Sequence, residues 1–135
     1  MSLNEENRDA LVRLRLEKAK EALTEAKAII ELGFWRVVAN RLYYACFYAV
    51  NALLIKDGIT THTHSGSINQ LSLHFVKKGL ISEEQGKLYS RLFGLRQTGD
   101  YSDRISIKEE DIRPLLEPAE KFIAEIEKLI NGNTD

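Results

Sequence analysis

Between Phe34 and Lys56 the chain has no glycine or proline and is apolar on nearly every side, through Trp35, Val37, Val38, Leu42, Ala45, Cys46, Phe47, Ala49, Val50, Ala52, Leu53, Leu54 and Ile55. A helix with one wet face needs one apolar neighbour; a helix apolar all round needs neighbours on every side. Residues 34–56 therefore read as the central helix of a bundle. The most apolar part, 42–55, is interrupted by Asn51 and is too short to span a bilayer.

The flanking segments supply the neighbours. Residues 4–32 place Leu11, Leu14, Ala19, Ala22, Leu23, Ala26, Ile29 and Ile30 at helical spacing, with Asn4 as a cap and Gly33 as a stop. After Asp57-Gly58 and a polar loop, a third helix is expected from about 66 to 78, with His64-Ser65-Gly66 capping it. Ser82 and Gln85 form a capping box for a fourth helix running to about Thr98, and Ser106 and Glu109 form another for a fifth. Pro114 and Pro118 lie inside the fifth pattern and predict a kink or a late start. No segment alternates with the period of a strand. The expected fold is all-α, an up-and-down four-helix bundle with an additional short helix, in one domain over 1–135 with a core of about 10–130.

Polar residues intrude on the central helix. Asn40, Tyr44, Tyr48 (or Tyr43) and Asn51 recur about once per turn and can form one stripe. Buried polar groups need partners. The stripe reads either as internal hydrogen bonds that fix helix register or as the wall of a cleft or dimer seam. A second cluster, Arg96-Gln97-Thr98-Gly99-Asp100-Tyr101, closes the fourth helix. Arg96 follows Phe93 and Leu95, so it needs a carboxylate, a carbonyl or a phosphate. An ion pair with Asp100 or Asp103 is one reading, and a phosphate-binding arginine the other.

The three histidines are His62, His64 and His74. Alternating His62 and His64 are only two nitrogen ligands, so no metal site is expected. His74 reads as a structural residue of the third helix. There is one cysteine, Cys46, which excludes an intrachain disulfide. Nineteen basic and twenty acidic residues give a net charge of −1, against broad nonspecific nucleic-acid affinity or a polybasic membrane binder. The polar first ten residues and single cysteine predict a cytoplasmic protein with no membrane partner.

Three segments in order resemble the HEPN family, small all-α prokaryotic domains, and its short single-domain branch most of all. They are Asn40-Arg41-Leu42-Tyr43-Tyr44-Ala45-Cys46-Phe47-Tyr48-Ala49, then Thr63-His64-Ser65-Gly66, then Leu95-Arg96-Gln97-Thr98-Gly99-Asp100-Tyr101. The resemblance implies a helical bundle that is usually a homodimer and is often paired with a small nucleotidyltransferase. It further implies a metal-independent ribonuclease of the toxin–antitoxin type, requiring no cofactor. Arg96 matches the family's signature arginine. The histidine expected after four to six intervening residues is absent, since Tyr101, Ser102 and Asp103 occupy those positions.

Cleavage beside a 2′-OH needs one group to take that proton and another to protonate the leaving oxygen. The expected proton-transfer residues are Asp100, Tyr101 and His64, around Arg96 on the phosphate. Arg96, Arg41, Asn40 and Tyr44 are the expected RNA or nucleotide contacts. The alternative is a non-catalytic nucleotide-, RNA- or partner-binding dimer.

Overall fold

The computed structural model describes residues 4–101 and 106–132, with 100 and 101 described by backbone alone. Helix α1 spans Glu5–Ile29, and the Asn4 side chain accepts the Asn7 N–H at 2.8 Å to cap it. A 3₁₀ turn, Ile30–Leu32, leads to Gly33 at φ 76°, the left-handed conformation that lets the chain reverse. Helix α2 then spans Trp35–Lys56. Helix α3 spans His64–Leu71 and runs into a π turn at Ser72–Val76. Helix α4 spans Glu83–Tyr101, α5 Glu109–Ile112 and α6 Leu116–Asn131, with a 3₁₀ turn at Arg113–Leu115 between the last two. Among the described residues there is no strand.

Helix α2 is the centre. Half of its residues are buried, and it contacts α1, α3, α4, α5 and α6. Its most extensive pairing is with α1, whose buried side includes Ala19, Ala22 and Ala26, each at most 2% exposed. Small residues at that seam let the two backbones approach. Helix α6 contributes Ala119, Phe122, Ile123, Ile126 and Ile130 at three- and four-residue spacing, a single apolar stripe. Burying each large member of it contributes about 1.5–3 kcal/mol.

Two boundaries depart from the sequence pattern. Helix α3 begins at His64, with Thr63 rather than the His64-Ser65-Gly66 triplet as the cap: Thr63 Oγ1 accepts the Gly66 N–H at 2.8 Å. Gly66 is needed there because a Cβ at that position would lie 2.8 Å from Thr63 Oγ1. Helix α5 begins after Lys108, whose N–H donates to Asp111 Oδ2 at 2.9 Å, so Ser106 lies outside the cap. The expected kink occurs at Pro114, in the 3₁₀ turn. Pro118 falls in the first turn of α6, where a backbone N–H has no intrahelical partner to lose. The Ser82–Gln85 box forms reciprocally, at 3.1 and 3.4 Å.

Candidate functional site

Capping by Thr63 has a consequence for chemistry. It starts α3 at His64 and turns that imidazole onto the aromatic side of α2. The His64 ring lies 4.6 Å from Phe47, 5.6 Å from Tyr43 and 5.9 Å from Tyr44, centroid to centroid. Its Nδ1 is 2.6 Å from the Tyr43 hydroxyl. The side chain thus has one nitrogen fixed by a phenol, and it also lines a cleft.

Arg96 reaches the same two tyrosines from α4. Its Nη2 donates to the Tyr44 hydroxyl at 3.0 Å, and its guanidinium carbon lies 5.4 Å from the Tyr44 ring centre and 5.9 Å from that of Tyr43. Cation–π contacts of this kind hold a guanidinium plane in place. The glycine of the same motif is equally constrained. A Cβ on Gly99 would lie 2.8 Å from Ile107 Cδ1 and 2.9 Å from Arg36 Cγ, so the end of α4 needs a bare backbone.

The electrostatics follow from this convergence. Burial lowers the His64 pKa below the usual histidine value, and the positive charge of Arg96 lowers it further. The imidazole is thus held neutral, a proton acceptor. Burial pushes the Tyr43 phenol up to about 12, and Tyr89 is also raised, again mainly by burial. Both remain protonated hydroxyls. Burial likewise raises the Cys46 thiol, which is unreactive in consequence.

Arg41 and Asn40 sit beside Tyr44 in a different arrangement. Arg41 lies 5.5 Å over the Tyr44 ring, but donates from Nη1 to Glu25 at 3.1 Å and from Nη2 to Asn40 Oδ1 at 2.9 Å. Tyr44 is therefore flanked by two guanidiniums. One is tied to a carboxylate of α1, and the other donates to the Tyr44 hydroxyl. The side chains of Asp100 and Tyr101, both expected in proton transfer, and Asp103, an expected ion-pair partner, lie outside the described residues.

The cleft beside His64 has a volume of about 430 Å³ and is lined by Arg15, Lys18, Tyr48, Asn51, His62 and His64, among others. Its charged walls are all basic. Lys18 Nζ lies 5.8 Å over the Tyr48 ring. A larger hollow of about 730 Å³, between the π turn and the start of α4, contains none of these residues. The cleft at His64 is the better site because the neutral imidazole opens into it.

Sequence reasoning placed Arg96, Arg41, Asn40, Tyr44 and His64 at the site, and the first four share the surroundings of one ring, Tyr44. It missed Arg15 and Lys18, which read as part of the solvated face of α1. It also missed Ser67 and Tyr89. The Ser67 hydroxyl is 2.7 Å from that of Tyr89, and the available signal was a hydroxyl at 89 beside the helically spaced Leu88, Leu92 and Leu95. His74 bonds to Gln70 at 3.0 Å, a structural contact within its own helical segment. Among the described residues no three His, Cys, Asp or Glu side chains cluster as metal ligands, and no helix is long and apolar enough to cross a membrane.

The family model of the HEPN domain matches residues 12–129. A UPF0332 protein of Thermotoga maritima is 40% identical over 113 residues, covering 84% of this chain and 86% of that one. A Methanocaldococcus jannaschii protein whose name marks it as a candidate toxin is 33% identical over 129 residues, covering 95% and 94%. Among solved structures, a HEPN domain protein of Thermotoga maritima superposes with a TM-score of 0.64 at 24% identity, covering 87% of this chain and 97% of that one. A Thermus thermophilus protein, TT1696, gives a TM-score of 0.72 at 19% identity, covering 87% and 96%. These two likenesses speak to the fold.

Proposed function

The chain belongs to the HEPN family, and from that premise we propose that it is a toxin-type HEPN protein that cleaves RNA with Arg96 and His64. The observation that carries this reading is their convergence on Tyr43 and Tyr44, from α4 and the start of α3 respectively. Where the family signature has a histidine shortly after the arginine in sequence, this chain has one close to it in space.

Each residue has a role that its surroundings support. Arg96 holds the scissile phosphate and stabilises the charge that develops on it; a prepositioned guanidinium does this better than a mobile one. Neutral His64 takes the proton of the 2′-hydroxyl as that oxygen attacks phosphorus. The group that protonates the leaving 5′-oxygen is proposed to be Asp100 or Tyr101, about one helical turn beyond Arg96. Tyr44 positions Arg96, while Arg41 and Asn40 hold the other side of the Tyr44 ring. Arg15 and Lys18 make the cleft attractive to the neighbouring phosphates of the strand.

The biological setting is proposed by kinship. Two Methanocaldococcus jannaschii relatives named as toxin candidates, at 33% and 31% identity, support a toxin role. A homodimer with a cleft shared across it, a small nucleotidyltransferase as the antitoxin partner and a cytoplasmic location complete the reading. A second reading, a non-catalytic phosphate-binding dimer, is favoured by the absent signature histidine.

The test is cleavage of a mixed RNA pool in EDTA by the wild type, Arg96→Ala and His64→Gln. Cleavage by the wild type that falls at least about 100-fold in both variants supports the proposal. Cleavage undiminished in His64→Gln removes it as the base. Binding of RNA without cleavage by any of the three supports the second reading.

A further inference from the structure

The polar stripe of α2 ends at a residue that the proposed reaction does not use. Asn40 accepts from Arg41, the Tyr44 hydroxyl accepts from Arg96, and the Tyr48 ring lies beneath Lys18. Asn51 follows about one turn later, between the buried Val50 and Ala52. It lines the cleft beside His64. Among the described residues its amide makes no hydrogen bond, and neither amide atom is sealed from solvent. Asparagine is a poorer helix former than alanine, and no internal bond offsets that weakness here.

Helix α1 supplies another wall of the cleft. Arg15 is half-buried and makes no ion pair among the described residues, and the exposed Lys18 stands about one turn from it. Among the described residues no Asp or Glu lines this cleft. A half-buried guanidinium with no carboxylate beside it favours an electron-rich guest. The volume of about 430 Å³ falls in the range of pockets that enclose a small organic group.

An unpaired nucleobase offers such a group, with a polar edge. In guanine and uracil a carbonyl adjoins a ring N–H. In adenine and cytosine an amino group adjoins a bare ring nitrogen. An asparagine amide pairs with either edge, because turning it over exchanges its donor and its acceptor. The amide alone therefore does not choose. The cations do: they attract a base carbonyl, whereas an amino group is itself a donor and finds no carboxylate to receive it. We propose that this cleft is a subsite for a keto nucleobase, guanine or uracil, with Asn51 pairing to its edge and Arg15 selecting its carbonyl. The proposal deepens the reading of the cleft as an RNA site, and it rests on that reading for the strand that delivers the base.

The experiment measures binding of 5′-dye-labelled, 2′-O-methyl pentanucleotides to the full chain by fluorescence anisotropy at one salt concentration. They differ only in a central U, G, C or A between flanking adenosines, and without 2′-hydroxyls they cannot be cut by 2′-oxygen attack. The wild type is expected to bind the U and G centres about fivefold or more tighter than the C and A centres. Asn51→Ala should bring that ratio close to one. Arg15→Gln should lower it too, while weakening all four complexes. Each ratio is taken within one protein, so a fraction of unfolded chain weakens every complex alike and leaves the ratio unchanged. Equal binding of all four by the wild type, a preference for C or A, or no binding of any overturns the inference. So does a keto preference that survives either substitution. If the preference appears as expected while the wild type cuts no ordinary RNA, the inference stands and the catalytic reading fails. If the wild type cuts RNA through Arg96 and His64 yet shows no keto preference, the catalytic reading stands and the inference fails.

Discussion

Helix α2 has two sorts of neighbourhood, and they are built on opposite principles. Toward α1 the seam is made with alanines, Ala19, Ala22 and Ala26, fully or almost fully buried. Its buried part is apolar and depends on volume, with the Arg41–Glu25 ion pair at its edge. Toward α3 and α4 the packing is aromatic, with Tyr43, Tyr44, Phe47, His64, Tyr89 and Phe93 in mutual ring contact and hydroxyls threaded between them. There the packing depends on direction as well as volume, because each hydroxyl and each nitrogen needs a partner. The first region holds the bundle together, and the second gives it polarised groups beside a cleft.

That contrast is broken most sharply by substitutions that separate stability from chemistry. The largest expected effect is in the aromatic region: Arg96→Ala reduces RNA cleavage about 100-fold or more with little change in thermal stability, measured by single-turnover cleavage alongside a melt. The α1 seam should behave in the opposite way. Ala22→Leu forces extra volume into a closed contact and lowers stability by about 1–3 kcal/mol, read by urea denaturation. Gly99→Ala lies between the two. Its Cβ would press on Ile107 and Arg36, costing about 1 kcal/mol and shifting the end of α4, so both stability and cleavage should fall modestly.

The pH dependence sharpens the comparison further. The folded-state pKa of His64 lies below its unfolded value, so the unfolded chain binds the proton more readily. This contribution to stability is fully present above the unfolded histidine pKa of about 6.5 and is lost as pH falls below it through the lower folded-state pKa. Stability titrated in His64→Gln should show a shallower acid decline than the wild type. The smallest effect is expected at the surface. Lys20 pairs with Glu127 at 2.6 Å between α1 and α6, both partly exposed. Lys20→Ala should change stability by no more than about 1 kcal/mol in a melt.

The same two regions explain how much was legible in the sequence. The all-apolar α2, the Asn4 cap, the Gly33 stop and the apolar stripe of α6 are local patterns, and local patterns fix helices and their buried faces. The boundary of α3 was harder to read because Thr63, Ser65 and Gly66 offer several capping registers within four residues. The one that forms depends on Gly66 having no Cβ to block the Thr63 hydroxyl. The start of α5 offered the same ambiguity: Ser106 and Glu109 match the box pattern, yet Asp111 reaches back to Lys108 in the register that buries Ile112.

The site was legible as types and not as a constellation. Arg96 could be singled out because an arginine amid Phe93 and Leu95 needs a partner. That the partner is the Tyr44 hydroxyl, 52 positions earlier, is a tertiary fact. The Ser67–Tyr89 and Tyr43–His64 contacts join different helices and leave no spacing signature. Arg15 and Lys18 looked like ordinary surface charges because their relation to His62 and His64 is fixed only when α1 packs beside α2.

The most direct test of the central claim, that a neutral His64 beside Arg96 drives attack by a 2′-hydroxyl, is to identify the RNA ends. An oligonucleotide cut by the wild type in EDTA should carry a 2′,3′-cyclic phosphate on its 5′ fragment. The same oligonucleotide with a single 2′-deoxy nucleotide at the cut position should resist cleavage there. Fragments ending in a free 3′-hydroxyl, or unimpaired cleavage at the 2′-deoxy position, would contradict the claim.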